Sequence, residues 1–489
     1  MLLALILIIP CAVALGAVIS RRVAPWLTLV GALVVLGLAI VSALEVLRTG
    51  VLRAALGFFT LDSLGALYLL LVAFVGMTAA LYSISYLTAR HREAGEIPPR
   101  YRQYYPLFNL FMASMLAVPL VSNLAVMWIA IELTTIFSAF LVAYEDRAET
   151  LEAAWKYVAL TSMGAMIALL GILILYYGVH RAGEAVSWFG LVRASSTMAP
   201  AVLLIGFVLA LVGFGAKAGL VPMHTWLPDA HSQAPASICA ILSGVETSAA
   251  LYMILRLYPA LARNPGIAHP NIWYLVPGLI TVGTAAFLVL QVTDFKRLFA
   301  YSTIEHMGII LTASGLATAA AHLGMIDQLF AHAFTKSFCF YAAGLATLAL
   351  GSQRIQGNRG LLKRSPVVGW ALLLGALAIA GAPPFALFIS EFQILRAGFS
   401  AGEYVATGLL TVFIVLAFIA ILYQIGGIVF GEPDPDLEAV EAAPVQRLPV
   451  TGVLALGIAF LPLLVFGFYL PPPLSQLIHQ AAALLGGGA

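Results

Sequence analysis

The run Gly213-Phe214-Gly215-Ala216-Lys217-Ala218-Gly219-Leu220-Val221-Pro222-Met223-His224-Thr225-Trp226-Leu227-Pro228-Asp229-Ala230-His231 decides the fold. It closes an apolar stretch, Ala201 to Val221, long enough to cross a bilayer, because about 20 residues rising about 1.5 Å each span a hydrocarbon core roughly 30 Å thick. A lysine in that core costs roughly 2.5–3.5 kcal/mol even on the lenient insertion scale, so it needs a partner or a task. Pro222 and then Pro228 remove backbone donors and clash with the preceding turn, so the helix must break. Broken backbone at membrane depth persists only inside protein or along a polar cavity. The stretch therefore predicts an interrupted membrane helix carrying a buried charge.

The rest of the chain agrees. Of 489 residues, 62% are hydrophobic and 9% charged, with a mean hydropathy of +1.01, which excludes an ordinary soluble domain. A formal charge of +2 without Lys/Arg clusters excludes nucleic acid as a main partner and leaves lipid as the solvent. Cys11, Cys239 and Cys339 stand singly in apolar runs, so no iron–sulfur cluster or zinc site is expected, and the chain is read as holding no cofactor and no metal. His224, Asp229 and His231 fit no zinc template and are expected, with Pro222, to stiffen their loop. The apolar N-terminus lacks a basic start and a small-residue cleavage site, and reads as a first permanent helix.

By the same measure of length, the segments Met1 to Ile19, Trp26 to Leu44, Leu64 to Leu87, Tyr105 to Val121, Leu124 to Ala143, Tyr157 to Tyr177 and Ala201 to Val221 are spans 1 to 7. Spans 8 to 14 are Ile238 to Tyr258, Trp273 to Val292, Leu298 to Leu316, Leu323 to Leu350, Val367 to Ile389, Val405 to Phe430 and Val450 to Leu470. The expected fold is an all-α polytopic membrane protein of about fourteen transmembrane helices. Span 12 carries a second interruption, Gly381-Ala382-Pro383-Pro384. Breaks five spans apart suggest two inverted five-helix repeats, spans 4 to 8 (residues 105–260) and spans 9 to 13 (261–430), with spans 1 to 3 (1–104) before them and a loop, span 14 and tail (431–489) after. Polar space is expected beside both breaks. Loops holding Arg21, Arg22, Arg90, Arg92, Arg100, Arg102, Arg147, Lys296, Arg297, Arg354, Arg359, Lys363, Arg364 and Arg447 fall on one side. Those with Arg48, Arg53, Arg181, Arg193, Arg256, Arg263 and Arg396 fall on the other. The richer side is cytoplasmic by the positive-inside rule, placing both termini in the periplasm of an inner-membrane protein and the Gly431–Pro449 segment in the cytoplasm.

Within the spans lie Glu132, Lys217, Glu246, Glu305, His306, His332, Lys336 and Glu391. His332 and Lys336, four apart, share a helix face. Ion pairs gluing helices together are one reading. A string of acids and bases beside two broken helices is a poor way to gain stability, however, and favours a proton relay. Glu132 and Lys217 are expected to couple, because moving one charge switches a buried lysine between its two protonation states. Lys156, His322 and Asp327 lie nearer the span ends, as do Asp62 and Glu45, which read as interfacial.

The run from Lys217 to His231, followed by Ala234-Pro235 and Leu242-Ser243-Gly244, resembles the signature of the antiporter-like subunits shared by respiratory complex I, Mrp-type cation/proton antiporters and membrane-bound group 4 hydrogenases. Asp294 to Thr303 is similar to a second block of that family. Ile304-Glu305-His306-Met307-Gly308 and Pro383-Pro384-Phe385 through Ser390-Glu391-Phe392 resemble its hydrogenase-4 component F branch. The resemblance covers spans 2 to 14. It implies a hydrated axis through Glu132, Lys217, His332 or Lys336, and Glu391, and other membrane subunits and a peripheral iron–sulfur redox arm as partners. Its other branches imply a complex I-type NADH–quinone oxidoreductase subunit or an Mrp-type Na+/H+ antiporter module, and a non-pumping scaffold is a further alternative. One position departs: where the family carries a lysine or histidine in span 8, this chain has Glu246. That leaves either a relay of reversed charge or a link through Glu305 and His306. No long lateral helix follows span 14.

Overall fold

The computed structural model describes residues 1–20, 22–94, 100–432 and 448–486. Arg21, Arg447 and most of the expected loop from Gly431 to Pro449 lie outside the described residues. Helices dominate. The first half runs α1 (Leu2–Ile19), α2 (Ala24–Thr49), α3 (Ser63–Ala94), α4 (Tyr101–Leu120), α5 (Leu124–Val142), α6 (Ala148–Arg181), α7 (Trp188–Ala194), α8 (Pro200–Ala218), α9 (Trp226–Gln233), α10 (Ala236–Ile241) and α11 (Thr247–Arg263). The second runs α12 (Ile272–Val289), α13 (Phe295–Gly315), α14 (Ala319–Leu350), α15 (Leu361–Arg364), α16 (Pro366–Ile379), α17 (Ala386–Ser400), α18 (Tyr404–Phe430), α19 (Val450–Val465) and α20 (Pro472–Leu485). A short antiparallel hairpin, β1 (Leu52–Ala54) and β2 (Phe59–Leu61), joins α2 to α3 with Arg53 opposite Thr60.

Among the described residues, 10 helices are long and apolar enough to cross a bilayer, so the chain is a multi-pass membrane protein. The remaining expected spans are helical too. α13 is diluted by Lys296, Arg297 and Glu305, α16 and α17 are the halves of one interrupted span, and α19 has 16 residues. Short helices outside the expected spans include α7, between spans 6 and 7, and α20, which packs on α3 and α14 beyond span 14.

Both interruptions are present. α8 stops at Ala218, where Gly219 takes the left-handed conformation (φ 80) that glycine adopts without a Cβ penalty. The chain then turns through Pro222 and resumes as α9, with Pro228 in its first turn, where a missing N–H costs nothing. α16 stops at Ile379, Gly381 is left-handed (φ 76), and α17 starts after Pro383-Pro384. Beside Pro222, the Val221 amide donates to Thr281 Oγ1 at 3.2 Å. The free volume there, about 240 Å³, is bounded by Leu211, Leu220, Pro277 and Ile280, all apolar. Lys217, close by in sequence, makes its contacts elsewhere.

Lipid tails are as apolar as leucine, so helices in a membrane associate through close packing, which small residues permit. α6 and α8 meet this way: a Cβ on Gly213 would lie 2.4 Å from the Gly164 carbonyl oxygen. α14, buried along nearly its whole length, is the hub, touching α3, α10, α13, α16, α17, α19 and α20. Loop charges pair with neighbours on their own side. Arg100 meets Asp146 at 2.7 Å, Asp229 holds Arg297 at 2.6 Å and Lys156 at 3.2 Å, and Glu145 binds Arg90 and Arg147. Lys296 is buried and caps the end of α9, donating to Ser232 O at 3.0 Å and Ala234 O at 2.8 Å. Asp294 caps α13 through the Lys296 and Arg297 amides, and burial pushes its carboxyl above the usual carboxylate range.

At the opposite end the expectation fails for Asp62 and Arg256, read as an interfacial group and a loop charge. They form a buried bidentate pair, with side chains 2% and 3% exposed and contacts of 2.6 and 2.5 Å. Arg256 also stacks 4.1 Å from the Trp188 ring. The cause is α7, which folds Trp188 over the pair, together with the cap that Asp62 gives the Gly65 amide at 2.9 Å.

Candidate proton-relay site

In the first half the lysine has a carboxylate partner, but a different one from that expected. Lys217 Nζ lies 3.2 Å from Glu246 Oε1, with side chains 3% and 1% exposed, and it also donates to Thr135 Oγ1. Around Glu246 Oε1 stand three hydroxyl donors: Tyr157 at 2.7 Å, Thr134 at 3.0 Å and Ser138 at 3.3 Å. Ser138 Oγ also lies 2.7 Å from the Tyr157 hydroxyl, so with Tyr157 donating to the carboxylate the one Ser138 hydrogen goes either to Tyr157 or to Glu246. A buried ion pair is tolerated only when its remaining lone pairs are satisfied, and these hydroxyls do that for one oxygen. The other, Glu246 Oε2, has no partner.

The expected Glu132–Lys217 pair is therefore replaced by Glu246–Lys217. Glu132 sits one turn before Thr135 and Thr134 on α5, but its Oε1 accepts from Ser162 Oγ of α6 at 2.7 Å, its Oε2 is unpartnered, and the residue is half-buried beside exposed Ile129 and Leu133. The physical reason lies in span 8, where a wide turn, Leu242–Glu246, lets the Thr247 N–H reach back five residues to Leu242 O. Such π-type turns recur at functional sites and re-aim the side chains beyond them. The wide turn thus leaves Glu246 as the carboxylate in contact with Lys217.

The second half gathers the remaining residues. His306 Nε2 lies 3.0 Å from Ile379 O, a carbonyl, so it must be the protonated nitrogen, which makes Nδ1 the acceptor. Gln328 Nε2 donates to that Nδ1 at 2.9 Å and to Glu391 Oε1 at 3.3 Å, while Gln328 Oε1 accepts from Ser390 Oγ. His306 Nδ1 itself lies 3.8 Å from Glu391 Oε1. The Ile379 carbonyl is free for His306 because the span 12 break follows it. The His332 ring lies 5.3 Å from that of His306, tilted 51° to it, with neither ring nitrogen partnered. One turn on, Lys336 Nζ donates to Phe299 O at 2.6 Å and to Ser302 Oγ at 2.5 Å. Glu305 is buried and its Oε2 has no partner.

Between the clusters, the wide turn supplies a link. Ser243, within it, bonds Thr303 Oγ1 at 2.6 Å, and Thr303 adjoins the Ser302 that holds Lys336. Reasoning from charge alone missed Gln328, the junction of the second cluster, and the hydroxyl cage of Thr134, Thr135, Ser138 and Tyr157. Polar residues recurring on one face of otherwise apolar α5 were the available signal. Of the loop residues, Asp229 bridges Lys156 and Arg297, and His231 Nδ1 donates to Leu227 O at 2.8 Å, leaving Nε2 unpartnered. His224 Nδ1 is likewise unpartnered. Among the described residues no group of three His, Cys, Asp or Glu could hold a metal.

Interrupted helices around buried acids and bases define an antiporter-like membrane subunit. The match to known proteins is specific: the model of the NADH:quinone oxidoreductase/Mrp antiporter transmembrane family covers residues 121–419, and the chain belongs to that family. It is 35% identical over 433 residues to the hydrogenase-4 component F homolog of Methylacidiphilum infernorum, covering 88% of this chain and 89% of that one. A chain of the membrane-bound sulfane sulfur reductase, an archaeal respiratory membrane complex, superposes with a TM-score of 0.83 at 24% identity, covering 99% of this chain and 96% of that one. A chain of the Mrp complex from Dietzia sp. DQ12-45-1b gives 0.82 at 23% identity, covering 99% and 98%. These two likenesses establish the shared fold.

Proposed function

We propose that this chain is the proton-translocating subunit of a membrane-bound redox complex of the group 4 hydrogenase type, driven by electron transfer in partner subunits. The observation that carries the reading is the buried sequence of alternating charges, Lys217–Glu246 in one half and Lys336, His332, His306 and Glu391 in the other, each ending at a broken helix. Chemically, the Glu246–Lys217 pair stores a separated charge. Hydroxyls at Tyr157, Ser138, Ser243 and Thr303 can both accept and donate, so they can pass a proton without holding a charge. The His306–Gln328–Glu391 cluster offers an imidazole whose unprotonated Nδ1, held by Gln328, lies 3.8 Å from a carboxylate. The likeness to a hydrogenase-4 component supports the choice of complex.

In this reading fourteen crossings build two inverted repeats, residues 105–260 and 261–430, whose breaks at Gly219–Pro222 and Gly381–Pro384 correspond, and both termini lie in the periplasm. Reporter fusions after Leu350 are expected to read cytoplasmic and fusions after Leu485 periplasmic. The reverse pattern overturns the orientation.

The functional test uses the whole complex in sealed vesicles with its electron donor supplied. Lys336→Ala is expected to cut protons moved per turnover by roughly tenfold or more while the subunit still assembles, since a positioned acid–base group contributes about 10²–10⁴-fold. Unchanged stoichiometry favours a scaffold. Transport that fails when Na+ is replaced by choline favours an Mrp-type antiporter.

A further inference from the structure

Building on the proposed relay, we infer that Tyr68 of α3 is a positioning residue that holds Glu246 on Lys217 by anchoring the wide turn in span 8. In an α-helix each carbonyl accepts from the amide four residues on. Where a turn widens, as Thr247 N–H to Leu242 O shows, one residue is added and everything beyond it rotates by about 100°. Glu246 is the last residue of that turn, so its aim toward Lys217, Tyr157 and Thr134 depends on the turn staying wide.

Tyr68 bears on that turn directly. Its side chain is fully buried and its hydroxyl donates to the carbonyl of Val245, the residue before Glu246, at 2.5 Å. The ring is itself fixed, 5.2 Å from that of Tyr252, whose hydroxyl accepts from Arg256 Nη2 at 2.6 Å. Arg256 in turn is clamped by Asp62 at the start of α3. α3 thus grips span 8 twice, at the outer ion pair and at the wide turn, and the second grip is one hydroxyl away from the charge pair.

The test compares the complex carrying Tyr68→Phe, Glu246→Gln, or both, in sealed vesicles, reading assembly, electron transfer and protons moved per turnover. Tyr68→Phe keeps the ring against Tyr252 and removes one hydrogen bond. It is expected to leave assembly and electron transfer intact and to lower proton stoichiometry roughly two- to tenfold. Glu246→Gln should lower it further, and the double variant should match Glu246→Gln, because the hydroxyl acts only through that carboxylate. A tyrosine that merely stabilised the bundle would add its loss to that of Glu246→Gln, and that result overturns the inference. So does a Tyr68→Phe complex that pumps normally while Glu246→Gln does not. Normal pumping by Glu246→Gln overturns the relay reading itself. If Tyr68→Phe does not assemble, Tyr68→His, still a donor, enters the same cycle. Its coupling is expected above that of Glu246→Gln, and coupling no better than Glu246→Gln counts against Tyr68.

Discussion

Lys217→Ala is expected to abolish proton translocation in the assembled complex, lowering protons per turnover by at least about tenfold. The magnitude follows from the partner left behind. Removing one member of a buried pair costs about 3–5 kcal/mol, because the other becomes an uncompensated charge, and Glu246 is 1% exposed with one oxygen already unpartnered. The expected loss is therefore larger than for a surface pair, which contributes about 0–1 kcal/mol. Lys217→Arg should not restore transport. A guanidinium keeps the charge but cannot release its proton at physiological pH. Glu246→Gln should mimic Lys217→Ala more closely than Glu132→Gln does, because Glu246 and not Glu132 is the carboxylate in contact. The measurement is donor-driven proton movement in vesicles, with assembly followed separately. If Lys217→Ala preserves the stoichiometry, the pair is structural. If Glu132→Gln is the more damaging carboxylate change, the coupling runs through Glu132 despite the geometry.

The span pattern was legible because membrane helices are read by length and apolarity, and nothing else in the chain competes with that signal. The breaks were legible because Pro222 and Pro383-Pro384 each follow a glycine, Gly219 and Gly381, that turns left-handed; a proline alone does not break a span, since Pro277 and Pro462 lie inside α12 and α19. What failed was partner choice. Lys217 pairs across the bundle with Glu246 because span 8 contains a wide turn, and no residue in Leu242-Ser243-Gly244-Val245-Glu246 forces one. Asp62 and Arg256 sit near span ends, where exposure is the ordinary expectation, and only the fold of α7 over them makes a buried pair. Gln328 carries no charge and so gave no sign, although it is the residue that joins His306 to Glu391. The amphipathic α20 escaped because its 14 residues are too short to span.

The second cluster can be tested from the backbone side as well as at its titratable residues. Gly381 lies in the span 12 break with φ 76, and a Cβ built there would meet Glu391 Oε2 at 2.2 Å. No real contact is so short, so in Gly381→Ala something must move. The clashing atom is the free end of a flexible side chain, and the cheapest response is for the carboxylate to swing away. That carboxylate is the one 3.3 Å from Gln328 and 3.8 Å from His306, so the swing takes it off the imidazole. The left-handed backbone adds about 1–2 kcal/mol of strain for alanine, which must be separated from the loss of contact. Gly402 provides the control: it is also left-handed, with φ 81, but has open space where a Cβ would go. Gly402→Ala should therefore carry the strain and keep proton translocation. Gly381→Ala is expected to lower protons per turnover roughly tenfold, comparable to Glu391→Gln and within the range for a misplaced acid–base group. In a Glu391→Ala background, where no carboxylate remains to be displaced, Gly381→Ala should have little further effect on stoichiometry. Equal losses in Gly381→Ala and Gly402→Ala would mean that backbone strain, rather than the position of Glu391, controls the result.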